Sequence, residues 1–169
     1  MTLRALVSAL ALSALPFVIA CEESAPEPDV HLPSETQFPV VLDAMERRCA
    51  TLDCHGAPGR NLRLYTGSGL RLNPKDIPGT GQTTEAEYDA SYWSVYGLEP
   101  EIMNAVIADD GEDPERLALI RKARGTESHK PGALMEEGDD LDDCLTSWLK
   151  SKVNEPACKK AQNYGAPEN

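Results

Sequence analysis

Phe38-Pro39-Val40-Val41-Leu42-Asp43-Ala44-Met45-Glu46-Arg47-Arg48-Cys49 is the stretch whose reading decides the fold. Phe38, Val41, Leu42, Met45 and Cys49 fall at i, i+3, i+4, i+7 and i+11, one stripe of a helix, with Asp43, Glu46 and Arg47 largely off it. Pro39 suits the first turn, where its missing N–H costs nothing. The spacing predicts a helix from Phe38 to about Cys49–Thr51.

Downstream, residues 56–81 form a Gly-rich loop region with Pro58, Pro74 and Pro78. Within it Asn61–Tyr65 and Leu70–Leu72 are too short to be strands. Thr84 with Glu87 three residues on is a capping box, which opens a helix to about Tyr96. Pro100 fits the first turn of another, to about Ala108. Asp113-Pro114 starts a third, closed by Gly125 after the basic turn Arg121-Lys122-Arg124. Leu141, Leu145, Trp148 and Leu149 give a helix over about Asp140–Lys152, with an acidic start and a basic end that match the helix dipole. Met45 and Met103 read as helix-core residues. Tyr88, Tyr92, Trp93 and Tyr96 read as core packing, with a cofactor wall as the other possibility. The fold class is therefore mainly α, a small helical domain with long Gly/Pro-rich loops.

Composition narrows the function classes. The 169 residues carry 28 Asp+Glu against 16 Lys+Arg, a formal charge of −12, and only 5% are aromatic. That acidity argues against nucleic acid and against electrostatic docking on anionic lipid. Length leaves room for one domain. No Ser-His-Asp arrangement, phosphate loop or metalloprotease helix is present, and the acidic runs Asp109–Asp113 and Glu136–Asp143 lack the alternation of a calcium loop.

Residues 1–20 read as an export signal, with Arg4 as the only charge before an apolar run from Ala5 to Ala20. The run is too short and Ala-rich for a membrane span. Val18-Ile19-Ala20-Cys21 resembles the bacterial lipobox, and that resemblance implies a lipidated Cys21 as the mature N-terminus. The chain is then anchored to a membrane through its N-terminal lipid, in the cell envelope on the periplasmic or outer-membrane side. Residues 21–37 follow as the lipidated cysteine and an acidic, Pro-rich tether in which His31 is solvated. The domain occupies 38–158, and 159–169 is a polar tail.

Lipidation removes Cys21 and leaves Cys49, Cys54, Cys144 and Cys158, an even number in an exported chain. Four cysteines allow three pairings. A Cys144–Cys158 bridge is the one expected, since it ties the last helix to its extension across Pro156.

Cys49-Ala50-Thr51-Leu52-Asp53-Cys54-His55-Gly56 follows the amphipathic helix and precedes the Gly/Pro loop. It resembles the haem-attachment motif of c-type cytochromes, with four residues between the cysteines where two are common. The resemblance implies a cytochrome c-like domain with covalent haem c on Cys49 and Cys54 and His55 as proximal iron ligand. It also implies a distal ligand in the loop before the last helix, where Met135 stands, with His129 as the alternative. A His/Met pair raises the reduction potential and a His/His pair lowers it. The implied work is one-electron transfer, a carrier rather than a catalyst, with a basic redox partner. Two readings stand beside it. One is a haem-free envelope lipoprotein with a Cys49–Cys54 disulfide, acting as a binding or assembly module. The other is a zinc site of Cys49, Cys54, His55 and His129, which needs reduced thiolates.

Overall fold

The computed structural model describes residues 29–164. The expected export signal, Cys21 and residues 22–28 of the expected tether lie outside the described residues. Among the described residues six α-helices follow one another: α1 (Phe38–Cys49), α2 (Glu85–Tyr96), α3 (Pro100–Ala108), α4 (Ala118–Ala123), α5 (Asp140–Leu149) and α6 (Glu155–Gln162). A 3-10 turn at Pro114–Arg116 precedes α4. The domain is mainly α. Among the described residues the β-structure is one isolated bridge, Tyr65 to Leu70.

The stripe read in the sequence is the face that α1 buries. Phe38, Val41, Leu42, Met45 and Cys49 are all buried, and α1 packs on α5, α6 and α2. From α5 come Leu141, Leu145, Trp148 and Leu149, and from α6 Ala157, Cys158 and Ala161. Phe38 sits at the centre, its ring 5.5 Å from that of Tyr92 and 5.2 Å from that of Trp148. These three large side chains supply much of the apolar area that burial turns into stability.

The start of α2 read from its capping box and the start of α5 read from its acidic residues both form as expected. Thr84 Oγ1 accepts from the Glu87 N–H while Glu87 accepts from the Thr84 N–H, closing the box at α2. Asp139 accepts from the Leu141 and Asp142 N–H groups at the start of α5. Cys144 and Cys158 are bridged, with their Cα atoms 4.8 Å apart, as the sequence suggested.

Four expectations need correction. The single helix expected from Asp113 to Gly125 is broken in two, because Asp113 takes a left-handed φ of 48° and Leu117 an extended ψ of 130°. The break lets Leu117 reach the core, and the Glu99 carboxylate accepts from the Ala118 N–H at 2.6 Å. Residues 159–162 of the expected polar tail are instead the second half of α6. Asn154 caps that helix at the Ala157 N–H, Pro156 occupies its first turn, and Ala161 is buried. α5 ends at Leu149, three residues short of Lys152, with Ser151 at φ 55° turning the chain. Residues 31–37 belong to the domain rather than to a tether. The Pro33 carbonyl accepts from Tyr92 Oη and the Ser34 carbonyl from Trp148 Nε1, each at 2.8 Å, while the backbone N–H of half-buried His31 donates to Asn104. An apolar count along the segment does not register this attachment, since it runs through backbone carbonyls.

The loop from Gly56 to Thr84 has no helix of its own, and Arg71 organises it. Arg71 donates to both Glu87 oxygens, at 2.8 and 3.0 Å, and to the carbonyls of Thr80 and Gln82. Glu87 is buried to 1% exposure and also accepts from the Leu72 N–H. A polar anchor thus does for this loop what a core does for the helices.

Candidate functional site

The site begins where α1 ends. The chain doubles back within seven residues: the His55 N–H donates to the Cys49 carbonyl at 2.9 Å, and the Cys54 and Gly56 N–H groups donate to the Thr51 carbonyl. Two glycines make that turn possible. A Cβ on Gly56 would stand 1.9 Å from the Ala50 carbonyl oxygen, and one on Gly69 2.0 Å from the same atom. Only a residue without a side chain fits either place. Cys49 is buried and Cys54 half-buried, and both are unbonded thiols.

His55 is held from behind. Its Nδ1 lies 3.1 Å from the Leu62 carbonyl, which can only accept, so Nδ1 carries the proton and Nε2 keeps its lone pair. The Leu64 N–H donates to the His55 carbonyl at 2.9 Å, tying the same loop to the same residue. Burial pushes the His55 pKa down, the Leu62 bond opposes this, and His129 and Arg60 add to the depression. The ring is therefore neutral at pH 7, the form that binds a metal. A proton donated to a backbone carbonyl is also the usual orienting contact of a metal-bound histidine.

His129 comes from the loop between α4 and α5. Its ring centre lies 6.0 Å from that of His55, with the ring planes 20° apart. Its Nδ1 is buried with no hydrogen-bond partner. The loop leaves α4 through Glu127, which pairs with Arg121 at 2.8 Å and Lys122 at 2.6 Å. It is anchored again by the Leu134 and Met135 N–H groups, both donating to the Ala123 carbonyl.

Two cavities adjoin at this histidine pair and share His55, Arg60, His129 and Leu134. The larger of the two, about 390 Å³, is walled by Met45, Cys49, Leu62, Leu98, Leu119 and Ala123 among others. The smaller, about 290 Å³, is walled by Asp53, Cys54, Lys130 and Pro131. One cysteine of the pair thus faces each cavity. The larger cavity's lining holds Arg60 and Lys122 and no carboxylate, in a chain whose net charge is −12. Arg60 donates to the Cys54 and Asp53 carbonyls, at 3.1 and 3.0 Å, and makes no ion pair with a carboxylate among the described residues.

The sequence-derived residues therefore divide. Cys49, Cys54, His55 and His129 come together around the cavities. Met135 is 2% exposed in the core and lines neither one. Tyr88, Tyr92, Trp93 and Tyr96 stay away from both linings, Tyr92 in the core and Trp93 half exposed. Cys144 and Cys158 form the bridge at the far end of the helical core. Among the described residues no three His, Cys, Asp or Glu side chains gather into a metal-holding cluster, so the four-ligand zinc site is not assembled. Missed in the sequence were the α4 wall (Ala118, Leu119, Lys122, Ala123) and the basic residue Arg60. The α4 residues fall at i, i+1, i+4 and i+5, a helical face that the expected unbroken helix hid.

No helix among the described residues is long and apolar enough to cross a membrane. Compared with protein-family models, curated proteins and solved structures, the chain matches none of them.

Proposed function

We propose that this chain is a c-type haem protein of the cell envelope, lipid-anchored at Cys21, that carries one electron at a time. One observation carries the reading: two imidazoles, one held as the Nδ1–H tautomer and the other with a buried unpartnered nitrogen, stand 6.0 Å apart between two cavities. A neutral imidazole binds a metal through its unprotonated nitrogen, which His55 keeps free at Nε2. Two protein ligands do not satisfy a metal ion, so the metal would bring its remaining ligands with it. A haem macrocycle would do so, and the two cavities that meet at the histidines would give it room.

The residues fit that group. His55 and His129 would hold the iron, and Cys49 and Cys54, one at each cavity, would hold the ring covalently. Arg60 and Lys130 would supply positive charge for carboxylates of the group from the cavity linings, whereas Lys122 is already paired with Glu127. Burial holds Cys49 as a neutral thiol, its pKa pushed up to about 12, which protects it from oxidation to a disulfide before attachment. When bound, haem would supply one-electron iron chemistry, with His55 and His129 as the residues that would hold the iron. The choice of His129 over Met135 implies the lower potential of the two expected pairs. The acidic surface beyond the site suits a basic redox partner.

Visible spectra of variants test the reading. Wild-type protein and Met135→Leu are expected to share one six-coordinate spectrum, while His129→Ala turns partly high-spin and binds added imidazole. Colourless wild-type protein, or a change confined to Met135→Leu, overturns it.

A further inference from the structure

The side chain next to Cys49 ties the two halves of the site together. We propose that Arg48 is a positioning residue for His129, fixing from the last turn of α1 where the His129–Met135 loop stands; the inference rests on His129 as the second ligand.

Arg48 is 12% exposed, and its Nη1 donates to the Leu134 carbonyl at 2.9 Å and to Asp139 Oδ2 at 3.3 Å. Leu134 lines both cavities beside His129. Asp139 is the cap of α5 and also accepts from the Glu136 N–H, so the loop is gripped at its end as well. On its other side the guanidinium carbon lies 3.8 Å from the centre of the Tyr164 ring, just beyond α6. One planar group thus fixes α1, the histidine loop and the start of α5 relative to one another. The Cys49–His55 turn hangs from that same end of α1. The separation of the two histidines therefore depends on Arg48, although it touches neither ring. A lysine, with one point donor, reproduces only part of this grip.

A merely structural role predicts something different. Arg48 Nε is buried without a hydrogen-bond partner. Arg48→Met keeps the packed stem, removes the two donated bonds and also removes that unfavourable burial. Stability then changes less than loop position does.

Two measurements on the full chain decide the matter. In haem-free protein, made without the attachment machinery, the nuclear Overhauser contact between the His55 and His129 rings is expected in wild type and lost in Arg48→Met. Arg48→Lys should restore it in part. In haem-loaded protein, added imidazole should bind Arg48→Met at least about tenfold more tightly than wild type. An unchanged ring contact together with unchanged imidazole binding overturns the positioning role. A wild-type chain that takes no haem yet loses the ring contact in Arg48→Met keeps the positioning role and rejects the haem reading.

Discussion

Glu87→Gln is the perturbation whose size follows most directly from the structure. One buried carboxylate receives five donated hydrogen bonds: two from Arg71, one from the Leu72 N–H, and two from Thr84, through its N–H and its hydroxyl. Burial alone would push its pKa up. The bonds from Arg71, Thr84 and Leu72 outweigh that and bring it from 4.5 to about 2. At about 1.4 kcal/mol per unit, that difference corresponds to about 3 kcal/mol of stability. The folded value lies below the unfolded one, so the contribution is full above about pH 4.5 and is lost as the pH falls toward 2. Breaking a buried pair by removing one partner costs a similar 3–5 kcal/mol or so. Arg71 would be left buried with an amide in place of its two-oxygen partner, and with Asp76 at 3.7 Å as its remaining carboxylate. Urea unfolding followed by circular dichroism at several pH values gives the test. Near pH 6 the variant should be about 3 kcal/mol less stable than wild type, and the gap should close as the pH approaches 2. The other carboxylates titrate in both proteins and drop out of the difference. A gap under about 1 kcal/mol at pH 6, or one that stays constant down to pH 2, would refute the reasoning.

Other outcomes follow from the same packing. Gly56→Ala forces a Cβ to within 1.9 Å of the Ala50 carbonyl, and the backbone must move. A cost of about 1–3 kcal/mol is expected, read as a fall of several degrees in Tm, and an unchanged Tm would mean the turn is looser than described. Replacing Cys144 and Cys158 together by alanine opens a loop with a sequence separation of 14. Unfolding in urea should show a loss of about 3 kcal/mol, and hydrogen exchange should show α6 released first. Trp93→Ser should cost about 1–2 kcal/mol, because Trp93 is 52% exposed yet packs edge-on against the rings of Tyr92 and Tyr96 at 5.2 and 5.8 Å, and an unchanged stability would mean those contacts contribute nothing.

The parts of the fold legible in the sequence are those written in periodicity and capping. The α1 stripe ends at the cysteine that the site needs, and the Thr84–Glu87 box marks the start of α2 to the residue. Asp139 and the acids after it mark α5 in the same way. The sequence also carries the signals for α6, in Asn154, Glu155, Pro156 and the lysines at its end. Eight residues with only Ala157, Cys158 and Ala161 to bury make too faint a stripe to stand out. The break at Leu117 was not legible, because it depends on Glu99, which lies eighteen residues away and reaches the Ala118 N–H.

The site divides along the same line. Cys49, Cys54 and His55 are adjacent in the chain, so their meeting is local and visible. The second histidine is a tertiary fact. Met135 stands nearer the last helix and looks like the better partner when read along the chain. The bonds from Leu134 and Met135 to the Ala123 carbonyl fix that end of the loop, with Met135 in the core and His129 beside His55. Side-chain direction within a loop is set by such long-range ties and leaves no periodic trace.

Haem staining on a denaturing gel tests the central claim most directly. The full chain is expressed in a host with a working periplasmic haem-attachment system, beside its Cys49→Ala/Cys54→Ala variant. A stained band in the wild type, absent from the variant, is the predicted result. An unstained wild-type band, with Cys49 and Cys54 recovered as a reducible disulfide, would contradict it and leave an anchored binding module in its place.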